Sequence, residues 1–150
     1  MINWYENITV EIREGGVLKD TTHFHNKITD VGLNWFADCL RSSTRTIKIL
    51  YMGYGSSNLA ATSTSTTLSS ETGRKIITSA SSGTVGQCIT ICYLAPGEGT
   101  GSITEIGWFA GTSATATLNS GRLMSRTTAY SHTKTALESL TVTRTDTFST

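Results

Sequence analysis

The sequence predicts a mainly β protein, an eight-stranded antiparallel β-sandwich or jelly-roll-like barrel with one amphipathic helix. Three observations predict this class. Eight short stretches have the alternation or composition of strands, glycine-containing turns separate several of them, and one stretch alone has helical spacing. A chain of 150 residues has the length of one domain. We expect residues 1–6 to form an N-terminal tail and residues 7–150 to form a single sandwich domain.

The N-terminal part of the chain predicts a β-hairpin. Apolar and polar residues alternate strictly over residues 7–13, as they do in a strand with one buried face. A Gly-Gly pair at positions 15–16 then permits a tight turn, and residues 17–24 are expected to pair back on the first strand. The positions expected to face the core are Ile8, Val10 and Ile12.

The helix is predicted from about Thr29 to Arg41. Thr29 or Asp30 can cap its first turn, and Arg41 suits the negative end of the helix dipole. Such a helix among many strands usually covers one face or one end of a sheet. The apolar positions with broadly helical spacing are Val31, Leu33, Phe36, Cys39 and Leu40.

The rest of the chain contains six further predicted strands and two long polar loops. The strand at residues 47–53 is apolar on both faces, which favours an interior position. Gly107, inside a strand, indicates a bulge or a close neighbour. The loops, at 56–70 and 112–120, are expected to be functional or mobile. The six strands cover residues 47–53, 74–80, 85–94, 103–109, 122–127 and 137–148.

Composition excludes several classes of function. The net charge is +1 and no basic stripe is present, so we expect no nucleic-acid partner. No apolar run approaches the roughly 20 residues that cross a bilayer, and the start of the chain lacks the pattern of a secretory signal. We therefore expect synthesis in a cytoplasm and no membrane partner. Ser and Thr make up about 30% of the chain, which predicts a surface coated with hydroxyl groups.

The titratable residues do not form a recognisable catalytic or metal site. His23 and His25 share one face of a strand, but His132 is the only other histidine, so two surface histidines are expected. Glu98 and Glu105 flank a turn and are expected to be exposed. We therefore expect no metal, no cofactor and no enzymatic activity.

The cysteines are expected to be reduced and buried. Cys88 and Cys92 are four residues apart in one predicted strand. At about 3.3 Å per residue they lie roughly 13 Å apart, which is too far for a disulfide.

Residues 97–101 carry three glycines but no lysine, and they lead into a strand. They therefore predict a tight turn and not a phosphate-binding loop.

The aromatic residues near the N-terminus suggest a contact with another subunit. Trp4 and Tyr5 precede the first predicted strand, where a monomer offers little to bury them, so they are expected either to contact a neighbouring subunit or to pack on the parent sandwich. With Ile8 in the first strand and Tyr54 at the start of the first long loop, they are the candidate interface residues.

Four stretches, in order along residues 28–148, resemble a family of short structural proteins of tailed bacteriophages and prophages. Residues 49–57 resemble its aliphatic strand followed by Gly-x-Gly-Ser, and residues 60–75 resemble its Ala-Thr-rich loop and Glu-x-x-Arg. Residues 97–109 resemble its Gly-Glu…Gly-x-Ile-x-Glu-x-Gly element. Residues 123–142 resemble its ending, Leu-x-x-Arg…Thr-Lys-Thr…Leu-Thr-Val. The sequence departs from the pattern in its plain Ser/Thr loops and in Trp108 after Gly107.

The resemblance implies a non-enzymatic virion component that assembles into symmetric oligomers, for which we expect a homotrimer. It would be made in the host cytoplasm and attached to the capsid exterior as a decoration protein, or to the tail. Its partners would be copies of itself and the major capsid or tail proteins. The alternative is a receptor- or carbohydrate-binding module at a tail tip or fibre, with Tyr54 as a candidate contact.

Overall fold

A computed structural model describes residues 2–150. Within that range the chain forms twelve strands and one helix, so the mainly β class with one helix is confirmed. The elements are β1 (Asn3–Glu14), β2 (Val17–His25), β3 (Lys27–Ile28), α1 (Asp30–Leu40), β4 (Ile49–Gly55), β5 (Glu71–Ile76), β6 (Ser79–Ser82), β7 (Gln87–Leu94), β8 (Gly101–Ile103), β9 (Glu105–Ala110), β10 (Arg122–Thr127), β11 (His132–Lys134) and β12 (Glu138–Ser149).

The strands form two five-stranded antiparallel sheets and one short ribbon. Sheet A has the order β2-β1-β12-β7-β6, and sheet B has the order β3-β10-β9-β4-β5. The ribbon pairs β8 with β11. The strand β12 is the centre of sheet A, and it pairs with β1 over the whole length of both strands.

The structure has four more strands than the eight predicted, because two predicted strands are each divided and two short strands, β3 and β11, lie outside the predicted ones. Thr104 interrupts the predicted strand 103–109: its amide donates to the Gly55 carbonyl at 2.8 Å, which separates β8 from β9. The predicted strand 74–80 crosses from sheet B to sheet A. The Ile77 amide bonds to Leu50 of β4, and the Thr78 amide bonds to Ile91 of β7.

The sheets pack face to face through the alternate residues expected to point inward. Ile8, Val10 and Ile12 of β1 lie with Leu140 and Val142 of β12 in one cluster. From sheet B this cluster receives Met52, Ile106 and Trp108. Each of these side chains is at most 2% exposed, and burial of each contributes roughly 1.5–3 kcal/mol.

The N-terminal boundary differs from the expected one. Residues 3–6 were expected to belong to a tail. They form the start of β1 and pair with residues 146–149 of β12. Met1 lies outside the described residues. The strand extends this far because Trp4 and Glu6 face inward with Ile8 and have partners inside the chain.

The helix α1 packs its backbone directly against β10. As expected, Thr29 caps it: the Thr29 hydroxyl accepts a hydrogen bond from the Gly32 amide at 3.0 Å. The buried helical position is Gly32, where an added Cβ would overlap the backbone of Met124. Leu33 and Leu40, expected on the buried face, are 49% and 77% exposed, because the close contact at Gly32 turns them outward.

Gly32→Ala should therefore destabilise the protein, although alanine favours helices by about 1 kcal/mol over glycine. A clash against fixed backbone typically costs about 1–3 kcal/mol, of which the helix propensity of alanine offsets about 1 kcal/mol, so we expect a net loss of up to about 2 kcal/mol in the free energy of unfolding. Urea denaturation measures it. Ala37→Gly, at an exposed position of α1, is the matched control and should lose about 1 kcal/mol from helix propensity alone. A stabilised Gly32→Ala variant would contradict the backbone contact.

Candidate interaction surface and buried ion pairs

The structure separates the four candidate interface residues. Tyr5 is 54% exposed on the outer face of sheet A, whereas Ile8 is 1% exposed in the core. The side chain of Ile8 is therefore not accessible to a neighbouring molecule. Trp4 is half-buried: its ring stacks on Phe148 at 5.5 Å, and its Nε1 donates to Asp146 at 2.7 Å. Trp4 therefore packs on its own sandwich, which is the second of the two expected alternatives.

Tyr54 is half-buried and lies away from the outer face of sheet A. Its ring occupies the space beside Gly73 and Gly99, where a Cβ on either glycine would crowd it. Burial raises the pKa of the Tyr54 phenol, and the charge of Glu98 raises it further. Glu98 itself is bound to Lys75, with Nζ 2.6 Å from Oε1.

The outer face of sheet A is a broad surface of hydroxyl and apolar groups. The odd-numbered threonines of β12 form its central row, with Tyr5 and Thr9 of β1 on one side and residues of β7 on the other. The charges at one end, Glu11 and Arg13, pair with each other at 2.7 Å. We name this surface the hydroxyl face; its residues are Tyr5, Thr9, Ile89, Ile91, Tyr93, Thr141, Thr143, Thr145 and Thr147.

Below the hydroxyl face, Arg144 of β12 lies on the inner side of the sheet between two carboxylates. Arg144 forms a bidentate ion pair with Asp146, with both hydrogen bonds 2.8 Å long. Its Nη2 is also 3.2 Å from Oε2 of Glu6, and its Nη1 donates to the Ser125 hydroxyl at 3.2 Å. Because Glu6, Ser125 and Arg144 belong to β1, β10 and β12, this cluster joins the two sheets.

Burial makes it costly for Glu6 to carry charge beside Asp146. Burial raises the pKa of the Glu6 carboxyl, Asp146 adds to the rise, and Arg144 opposes it. Glu6 Oε1 accepts hydrogen bonds from Asn26 and Ser125, but Glu6 Oε2 and Asn26 Oδ1 are buried without one. A proton on Glu6 would remove its negative charge and leave the Asp146 carboxylate as the charged partner of the Arg144 guanidinium.

A second buried ion pair holds the loop 56–70. Glu105 and Arg126, on the neighbouring strands β9 and β10, have side chains 0% and 2% exposed and meet at 2.9 Å. Arg126 donates to the carbonyls of Leu59 and Ala60, and Glu105 accepts from the amide of Ser70 at 2.6 Å. The loop is therefore fixed at both ends, and Glu105 is not the exposed acid that was expected.

A third ion pair holds the loop 112–120. Glu71 and Arg74 of β5 have side chains 0% and 2% exposed and meet at 2.8 Å. Arg74 donates to the carbonyls of Thr115 and Ser120, and its guanidinium lies 4.3 Å from the centre of the Phe109 ring. Both long loops, expected to be functional or mobile, are thus tied to sheet B by buried arginines.

The histidines are engaged in separate contacts. His23 bonds to the Thr9 hydroxyl at 2.9 Å, His25 contacts the Glu6 carbonyl, and His132 bonds to Glu138 at 3.0 Å. Within residues 2–150 no three His, Cys, Asp or Glu side chains are grouped as metal ligands.

The three cysteines are free thiols. Cys92 is buried as expected and Cys39 is half-buried, whereas Cys88 is exposed. The exposure of Cys88 differs from the expected burial because it lies near the end of sheet A, opposite Ser82 of the edge strand β6.

The three arginine clusters were not predicted from the sequence, although each had a signal there. The alternation that places Leu140 and Val142 inward also places Arg144 and Asp146 inward, and Glu6 shares the inward face with Ile8. Glu71, Arg74, Glu105 and Arg126 stand in the motifs quoted for the resemblance, but the pairing of Glu105 with Arg126 depends on the register of β9 against β10.

Arg126→Ala should release the loop 56–70 and leave Glu105 charged, buried and unpaired. Removal of one partner of such a pair costs about 3–5 kcal/mol, which is the expected loss in the free energy of unfolding. Limited proteolysis should then cut within residues 56–70. The matched control is Arg122→Ala, at an exposed position of the same strand, which should leave the loop resistant. Equal resistance in both variants would contradict the anchoring.

Glu6→Gln should change how stability depends on pH. Because the folded pKa of Glu6 is raised, its protonated form favours folding below the ordinary glutamate pKa, and this contribution disappears as pH rises through the folded value. The advantage of the glutamine variant should thus grow above pH ~4.5, with a limiting slope of about 1.4 kcal/mol per pH unit. Chemical denaturation from pH 4 to 8 measures this difference. Glu14→Gln, at the exposed end of β1, should follow the wild type; identical slopes for all three proteins would show that Glu6 is ionised.

Comparisons of the chain with known protein families, with curated proteins and with solved structures find no match. Among residues 2–150, the single helix is too short and too polar to span a bilayer. The geometry of the chain, together with the resemblance stated above, is the basis for its proposed function.

Proposed function

We propose that the chain is a structural subunit of a bacteriophage virion, a homotrimer attached to the capsid exterior or to the tail, which acts by binding and not by catalysis. The observation that carries this proposal is the hydroxyl face, a broad sheet surface with neutral side chains along its centre. Two partly exposed tyrosines, Tyr5 and Tyr93, lie on it, at 54% and 39% exposure. Tyrosine is enriched in protein interfaces, and charged residues are depleted from their centres.

The rigidity of the loops supports the same role. A subunit of a shell must present the same shape in every copy, and buried arginines hold both long loops of this chain. Fixed loops lose little conformational entropy when they enter an interface, which favours association. Arg74, Arg126 and Arg144 each also bond to groups from other parts of the chain, which supports structural contacts rather than a reactive site.

Thr143→Lys tests the proposal, because Thr143 lies in the central row of the hydroxyl face between Thr9 of β1 and Ile91 of β7. A lysine buried there without a partner costs several kcal/mol in an interface. We expect sedimentation to show a trimer for the wild type and a folded monomer for the variant.

The control for this experiment is Ala37→Lys, at an exposed position of α1 outside sheet A and outside both long loops, which should remain trimeric. A monomeric wild-type protein at high micromolar concentration would contradict self-assembly through this face. Glycan binding by that monomer, abolished by Tyr93→Ala, would favour the alternative of a carbohydrate-binding module.

A further inference from the structure

The strand β6 is an open edge of sheet A. Its four residues, Ser79-Ala80-Ser81-Ser82, are all exposed, and they pair with β7 on one side only. An edge strand of this kind presents unpaired amide and carbonyl groups, to which another extended segment can add.

The other edges of the two five-stranded sheets carry features that oppose strand addition. The edge strand β2 contains Lys19 and Asp20, and its pairing with β1 includes a bulge. The edge strand β5 contains Lys75 and also pairs through a bulge. The edge strand β3 has two residues, one of which is Lys27. Charges and bulges are devices that protect edges, and β6 has neither.

A cavity of about 220 Å³ lies directly beneath β6, between the ends of the two sheets. Its lining includes the ion pair of Arg144 with Asp146, and also Ala80, Lys48 and Cys88. The remaining walls are almost entirely apolar; six of the lining residues are Trp4, Phe36, Ile47, Ile49, Met124 and Phe148.

The register of β6 connects the free edge with the cavity. Ala80 lies opposite Thr90, and Ser82 lies opposite Cys88; both β7 residues line the cavity. Ala80 and Ser82 therefore face the inner side of sheet A. In a strand added beside β6, every second side chain would face the inner side of sheet A. The residue paired with Ala80 would therefore point toward the cavity.

We propose that β6 and this cavity receive an extended, uncharged segment of another protein, which inserts one large apolar side chain beside Ala80. The inference deepens the proposed function and rests on it in one respect, since the partner would be a different subunit of the same particle. An apolar cavity of about 150 Å³ holds a benzene ring, so the present one has room for a phenylalanine or leucine side chain.

The shape of the site favours a foreign segment over a second copy of this chain. If β6 paired with β6 of another copy, only Ala80 and Ser82 would face inward, and both are too small to fill the cavity. The ion pair in the cavity lining favours a neutral side chain, because the Asp146 carboxylate already accepts two hydrogen bonds from Arg144 and one from Trp4.

Two blocked five-residue peptides, Thr-Ser-Phe-Ser-Thr and Thr-Ser-Ala-Ser-Thr, test the site on the intact protein. The readout is the rate at which iodoacetamide alkylates Cys88, the exposed thiol that lines the cavity. Burial raises the pKa of the Cys92 thiol to about 12, so Cys92 does not react, and Cys39 on α1 is the internal control. At millimolar concentration the phenylalanine peptide should slow alkylation of Cys88 at least threefold, and the alanine peptide should not.

Two variants of the edge strand complete the test. Ala80→Lys places a charge on the inner side at the cavity and should abolish protection by the phenylalanine peptide. Ser81→Lys, on the outer side of the same strand, should retain it. Equal effects of the two peptides, no protection by either, or equal loss in both variants would overturn the proposal.

Sedimentation of the same variants distinguishes this site from the proposed trimer interface. If Ala80→Lys alone converts an oligomer into monomers, β6 pairs with a second copy and the inference of a foreign segment is wrong. If the wild type is monomeric yet the phenylalanine peptide protects Cys88, trimer formation fails while the strand-addition site stands.

Discussion

The position of Arg144 is the constraint on which the sandwich depends. A guanidinium on the inner side of the central strand of sheet A must have its charge balanced and its donors occupied, because unpaired buried charge is destabilising. Asp146 on the same strand, Glu6 on β1 and Ser125 on β10 meet these requirements. The two sheets therefore have one relative placement in which this cluster is complete, whereas apolar contacts alone would tolerate small shifts.

Sheet B also contains buried arginine–carboxylate pairs, and these hold its two long loops. Arg126 and Arg74 each combine one buried carboxylate with carbonyl groups of a Ser/Thr-rich loop. Loops of that composition have few apolar residues with which to anchor themselves; Leu68 is one of the few that is buried. The arginines supply directed hydrogen bonds in place of a hydrophobic contact. The protein thus has few charged side chains on its surface but several buried arginine–carboxylate pairs in its interior.

Much of the architecture followed from simple patterns in the chain. The alternation of Ile8, Val10 and Ile12, the Gly-Gly turn and the cap at Thr29 identified the hairpin and the helix, because each is determined by neighbours in sequence. The strand breaks at Thr104 and at Ile77 were missed, since they depend on hydrogen bonds to Gly55 and Leu50, which are distant in sequence. The candidate surfaces were missed for the same reason: only pairing brings Tyr5, Thr143 and Tyr93 to one face, or places Ala80 above a cavity.

The pairing of β1 with β12 also has a consequence for biosynthesis. The middle strand of sheet A comes after every other strand in the sequence, so β1 and β7 have no common partner on a ribosome until β12 has emerged. Contacts between segments so far apart in sequence slow folding. A fragment that ends before β12 would therefore leave the apolar inner sides of β1 and β7 without the strand that joins them in sheet A.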